Sequence, residues 1–297
     1  MKKNTKTLFL SLSILFIFCF LLVLGVSFFM YKDIAEEQPN LNLTYLQTMT
    51  IMVTRSPEQD LKKQIKESYL QEDYQHISIY YEKDFTELLP LTKETLELAF
   101  EKTDALFGKT NQEPIDFLVF QDGEEMSQLS GIEGGAGFYS EKDSVLAIHY
   151  YDKDLILKKE KYPLYIFQGN ILHEYTHYAF ARKAKEQGIY PLWFIEGIAV
   201  YVEDKGQGAP LSESVHIPFV QLTTYEQWDE ARYIASTNHY AQSYFAIEYL
   251  IKEYGEGVIS ELMNTANETE DFRQSFKEVT GLTISELDRA YPKTYMK

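Results

Sequence analysis

The chain opens on an apolar stretch from Leu8 to Met30, roughly 23 residues, close to the ~20 that cross a bilayer as a helix. From Tyr31 to about Asp73 polar and charged residues dominate, and Leu46 to Tyr69 reads as a helical stalk or a propeptide. Alternation then sets in. Gln75-His-Ile-Ser-Ile-Tyr-Tyr81 has the period of a strand, whereas Leu88 to Phe107 carries apolar positions at helical spacing and stops at Gly108. Pro114 to Phe120 predicts another strand. After a short helical piece, Gly134-Gly-Ala-Gly137 predicts a hairpin that returns over Ser144 to Tyr151. Beyond Tyr162 the pattern is helical almost throughout. Strands first and helices afterwards give the α+β class. The predicted organisation is an anchor at 1–30, a stalk or propeptide at 31–73 and one domain at 74–297.

Charge refines the N-terminal reading. Lys2, Lys3 and Lys6 precede the apolar run and Asp33, Glu36 and Glu37 follow it, so the positive-inside rule leaves the N-terminus in the cytoplasm and the domain outside. The run exceeds a typical signal-peptide core and no clear cleavage site follows, which favours a single-pass anchor in the cell membrane over a secreted, cleaved form. Cys19 is the only cysteine; Ile17 and Phe18 before it are poor lipobox residues. A lone cysteine excludes both a disulfide framework and a cysteine zinc site within one chain. With 45 Asp+Glu against 28 Lys+Arg, a net charge of −17 argues against a nucleic-acid partner.

The chemistry concentrates at His173-Glu-Tyr-Thr-His177. Histidines four apart share one face of a helix, so both imidazoles can hold one Zn²⁺ while Glu174 leans toward the open coordination position as general base. A hydrolytic zinc needs a third protein ligand. Gly188 and Pro191 stop the first helix, and Trp193-Phe-Ile-Glu196-Gly starts the next, so a returning helix would bring Glu196 beside the histidines. A helix-start glutamate favoured by the helix dipole is the bland alternative, and the apolar setting of Trp193, Phe194, Ile195 and Ile198 speaks against it. Glu203, seven residues on and on much the same face, is a candidate to orient a ligand histidine.

H-E-x-x-H, eighteen residues, then W-F-x-E-G-x-A resembles the gluzincin metallopeptidases, especially the peptidase-MA-like group and more distantly the aminopeptidase N family. Softer similarities extend over roughly residues 74–290, including the Gly134–Tyr139 hairpin, Tyr240-Ala-Gln-Ser-Tyr-Phe and Phe276-Lys-Glu-Val-Thr-Gly281. The resemblance implies a zincin-like fold with a small twisted sheet above the zinc helix and a helical lower half. It assigns His173, His177 and Glu196 as metal ligands and Glu174 as base. It also implies that the strand near Gly137–Tyr151 holds a peptide substrate by β-addition. Such enzymes stabilise the oxyanion with a tyrosine or histidine from the helical half, for which His239 and Tyr240 are candidates here, although a core or surface role for Tyr240 is equally open. The G-x-M-E-N motif of the related aminopeptidases is missing, so the expected activity is that of an endopeptidase acting on peptide or protein chains. The rival expectation is a catalytically idle ectodomain that binds partners. An intramembrane protease is excluded because Lys158, Lys159, Glu160, Lys161, Arg182, Lys183 and Lys185 flank the motif.

Overall fold

The computed structural model describes residues 24–29, 31–32, 44–45, 57–132, 134–203 and 215–295. Most of the apolar Leu8–Met30 run, with Cys19, lies outside the described residues. Among those described, no helix is long and apolar enough to cross a membrane. The chain divides into two units, Met1–Glu67 and Ser68–Lys297. In the first, the Ser27 hydroxyl donates to the Leu24 carbonyl and meets the Tyr45 hydroxyl, each at 3.0 Å. Helix α1 (Pro57–Ser68) lies within the stretch read as stalk or propeptide.

The second unit is α+β, built on a five-stranded mixed sheet in the order β1-β2-β3-β5-β4. Strands β2 (Ile77–Tyr81), β3 (Ile115–Phe120) and β5 (Val145–His149) are parallel and central. β1 (Leu70–Tyr74) and β4 (Gly137–Ser140) are antiparallel edges. The central strands read ISIYY, IDFLVF and VLAIH and are almost wholly buried. Such runs lose the in–out alternation because both faces of a parallel core are covered. β1 corrects the expected boundary at residue 74: it pairs from Leu70↔Tyr81 to Tyr74↔Ile77 and so belongs to the sheet. Its sequence, LQEDY, is polar and mostly exposed, as an edge strand must be to resist further pairing, and polarity hid it in the stalk.

The parallel step from β2 to β3 crosses through α2 (Leu89–Phe107), which carries Pro90 in its first turn and ends at Gly108 with φ 74°, a backbone angle glycine adopts freely. After β3 come α3 (Gly123–Ser130), the β4–β5 hairpin and the short α4 (Lys153–Leu157). Helix α5 (Lys161–Lys183) then runs under β4 and β5 and packs on α2. A 3₁₀ turn at Gln187–Ile189 reverses the chain into α6 (Leu192–Glu203). α7 (Tyr225–Arg232), α8 (His239–Tyr254), α9 (Val258–Thr269), α10 (Phe272–Thr280), α11 (Ile284–Ala290) and α12 (Pro292–Tyr295) complete the helical half. α6 lies closely on α8: a Cβ at Gly197 would stand 2.8 Å from the Ser243 carbonyl oxygen and 2.9 Å from Ile247 Cγ1. Only glycine permits that approach, and it fixes the depth at which α6 presents its side chains to α5.

Candidate metal centre

α5 is apolar nearly all round, with Phe167, Ile171, Leu172, Tyr175, Tyr178, Ala179 and Phe180 buried. Such a helix belongs in a core, and the polar side chains left on it need partners. His173 and His177 stack edge to face one turn apart, with ring centroids 4.8 Å apart at 75°. The turn after α5 is closed by the Glu186 carboxyl accepting from Gly188 N at 3.3 Å. The first turn of α6 is locked from another direction: Leu192 N donates to Thr223 O at 3.1 Å and Trp193 N to Leu222 O at 2.9 Å. Glu196, one turn in, therefore faces both histidines. Its Oε2 lies 3.4 Å from His173 Nε2 and its Oε1 3.7 Å from His177 Nε2.

One donor atom from each of the three residues lies within 4.8 Å of the others, so the group could hold a metal ion. The histidine–glutamate separations are telling. Tetrahedral bonds of ~2.0–2.1 Å place ligand atoms about 3.4 Å apart, close to each of the two contacts, which use different oxygens of Glu196. The group is walled by protein yet open on one side.

Around this trio the structure adds a carboxylate on each flank. Glu203, at the end of α6, accepts or shares a proton with His173 Nδ1 at 3.1 Å, which orients the ring with Nε2 toward Glu196. Space for it is made at Gly169, where a Cβ would lie 3.1 Å from Glu203 Cγ. Lys102 on α2 donates to the Val202 carbonyl at 2.6 Å and fixes the end of α6 that carries Glu203. Glu174 is 8% exposed and sits directly under β4: a Cβ at Gly137 would be 2.8 Å from its Cγ and Oε1 and 2.7 Å from Ala147 O. Asn170, one turn earlier on α5, donates to the Ala136 carbonyl at 3.4 Å and ties the approach to β4 to the same helix.

The electrostatics follow. Burial, opposed in part by His173 and reinforced by the negative charges of Glu196 and Glu203, pushes Glu174 up to about 8. Burial also takes His177 down to about 4. His173 goes the other way. Burial disfavours its charge, but hydrogen bonds to Glu196 and Glu203 outweigh it and hold the imidazolium well above the usual range. Burial would raise Glu196, yet His177, His173 and, farther off, Arg232 keep its carboxyl below the usual value. Without a metal the group thus retains a proton on His173.

A cleft of about 710 Å³ opens onto these residues, bounded by β4 on one side and by α6, α7 and α8 on the other. Of the two sequence candidates on α8, Tyr240 lines the cleft and its hydroxyl accepts from Arg232 Nη2 at 3.3 Å. His239 is 5% exposed and is not among the cleft-lining side chains; its ring meets Trp228 edge on at 4.5 Å. Tyr225 escaped the sequence reading altogether. It opens α7 at the cleft mouth, 79% exposed. The capping box of Thr224 and Gln227 pins that helix start, and the preceding residues Leu222 and Thr223 are the ones bonded to α6. Tyrosine is common in this chain, so no local signal singled Tyr225 out. The tether to Glu196's helix is a tertiary fact.

Fold and site together define an α+β protein with a half-buried His–His–Glu group capable of holding a metal ion, flanked by a carboxylate under the sheet edge. No family model matches the chain. It is 33% identical over 241 residues to the uncharacterized protein YhcO of Bacillus subtilis (strain 168), covering 80% of this chain and 74% of that protein. The chain belongs to the family of YhcO.

Proposed function

We propose that the protein is a zinc-dependent peptidase of the gluzincin type with a zincin-like fold, anchored by its N-terminal apolar segment and facing outward from the cell. The observation that carries this reading is the donor trio, one atom from each residue within 4.8 Å of the others, with Glu174 buried beside it under the sheet edge. Two imidazoles and one carboxylate form the ligand set of a catalytic rather than a structural zinc, because three protein ligands leave a position open. When bound, zinc would supply Lewis acidity and lower the pKa of its water to roughly 7.

The remaining work falls to the chain's own residues. Glu174 follows His173 directly on α5; a bound cation would offset the burial and the neighbouring carboxylates that hold its carboxyl up at about 8, and the ionised group could then accept a proton and hand it to a leaving amine. β4 is an edge strand, paired on one side with β5, and borders the cleft. Its open side can accept an extended peptide by strand addition, which needs no particular side chain and suits hydrolysis within flexible chains. Gly137 lets the strand backbone lie against Glu174, so a peptide paired there has its bond beside the base. Tyr225 and Tyr240 present phenols from the far wall, where a donor stabilises the developing oxyanion. A peptidase of this design needs no further cofactor and no nucleic acid.

The test compares the full chain, supplied with zinc, with Glu174→Gln on a mixed library of unstructured peptides, products being read by mass spectrometry. Cleavage by the parent that vanishes in the variant, with one zinc bound to each, is the expected result. A folded, zinc-loaded parent that cleaves nothing would overturn the peptidase reading in favour of a binding ectodomain.

A further inference from the structure

The cleft is walled by four carboxylates, Glu174, Glu196, Glu203 and Asp229, yet among the described residues that line it there is one lysine or arginine, Arg232. Arg232 ends α7, and its guanidinium is steadied at two points. Nη2 donates to the Tyr240 hydroxyl at 3.3 Å, and Nε stands 3.8 Å from Asp229 Oδ1. The second contact is long, and its side chains are 46% and 64% exposed, so water screens it and leaves the guanidinium charge largely uncancelled. A guanidinium offers five N–H donors in a planar fork that matches a carboxylate. Partial restraint by Tyr240 and Asp229 lowers the entropy lost when the fork meets a ligand. Tyr240 lines the same wall, so the fork and the donor trio look onto one cleft.

We propose that Arg232 anchors a substrate carboxylate, so that the protein selects peptides carrying a free C-terminus or an Asp or Glu side chain within a few residues of the bond cleaved. The proposal rests on the peptidase reading above and names the substrate class of that site. Away from the metal position, the lining carboxylates repel anions, and Arg232 is the one lysine or arginine among the described lining residues that offers a second acidic group a partner. Arg232 then fixes the register of the peptide along β4 and with it the position of the scissile bond. It is a specificity-determining residue.

The experiment measures binding and cleavage separately. Zinc-loaded Glu174→Gln full chain is titrated calorimetrically with matched peptides: free acid against C-terminal amide, and internal Glu against Gln. The same pairs are offered to the parent for cleavage. In either the terminal or the internal arm, the acidic peptide should bind about tenfold tighter than its neutral match. The preference should fall to parity in Glu174→Gln/Arg232→Gln and reverse in Glu174→Gln/Arg232→Glu, with zinc content and circular dichroism unchanged. The arm that discriminates identifies the source of the carboxylate. Cleavage by the parent with no acidic preference in either arm overturns the anchor and leaves the peptidase standing. Loss of activity in Arg232→Gln that is equal for acidic and neutral peptides also overturns it, since Arg232 would then act only through Tyr240. Absence of both binding and cleavage with every peptide overturns both readings.

Discussion

Truncating Glu203 to alanine is the sharpest perturbation available, because it removes one contact to a ligand histidine and leaves the three metal donors in place. The carboxylate meets His173 Nδ1 at 3.1 Å across 30 residues of sequence, and the histidine ring is then free to turn when that contact is lost. A hydrogen bond to a charged group contributes ~1.5–3 kcal/mol. Metal affinity should therefore fall by about 10–100-fold, in keeping with the usual effect of groups behind a ligand. Glu203→Gln keeps an acceptor without its charge, and since neutral bonds are roughly half as strong, it should lose about 3–10-fold. The assay is competitive zinc titration against a chromophoric chelator, run across pH. The pH dependence supplies a second signature. Metal binding must expel the proton that Glu196 and Glu203 hold on His173. A raised histidine pKa is a stabilising term that is full below the unfolded value and lost as pH rises through the folded one. Proton competition in the parent therefore persists to a higher pH than in the variant. The gap between parent and Glu203→Ala should be widest in alkaline buffer and narrow as pH falls. An alanine variant that binds zinc within threefold of the parent at every pH would refute the orienting role of Glu203.

Three further outcomes are expected. Of the two cleft phenols, the one that serves the oxyanion should cost about 10²-fold in kcat with KM within a few-fold when changed to Phe, and the other should cost less; steady-state kinetics of Tyr225→Phe and Tyr240→Phe tell them apart, and an unchanged kcat in both would refute a phenol donor. Gly197→Ala forces a Cβ to 2.8 Å from the Ser243 carbonyl, a backbone atom that cannot swing away, and should destabilise the fold by ~1–3 kcal/mol in urea denaturation; an unchanged midpoint would mean that α6 and α8 can part freely. His76 is held below its usual value by burial, beside the Tyr175 hydroxyl at 3.3 Å and stacked on Tyr178. Its contribution is complete above the unfolded value near 6.5 and is lost as pH falls toward the folded one, so denaturation midpoints should drop on acidification and drop less in His76→Gln; parallel pH profiles would contradict this.

The helical spacing of His173 and His177 alone fixed their common face, and Gly188 with Pro191 marked the reversal that returns Glu196. Glycine at 108 ended α2, and the apolar runs of β2, β3 and β5 stood out because wholly buried strands are hydrophobic in both directions. These features were legible because each is a property of a few adjacent residues: a period, a cap, a turn. β1 was missed for the same reason, since a polar edge strand has no periodicity of its own and exists through its partner. The charged wall of the cleft belongs to packing in the same way. Sequence alone could suggest Glu203 for His173 but not establish the contact, which depends on how deeply Gly197 lets α6 settle on α8. Sequence could pair His239 with Tyr240 as neighbours, but the helix turns one into the core beside Trp228 and the other into the cleft. Tyr225 and Arg232 became candidates only when α7 was tied to the start of α6. Periodicity is local and survives in a string of letters. The distance between side chains on different helices is set by how closely the helices pack, and that closeness is decided by the tertiary fold.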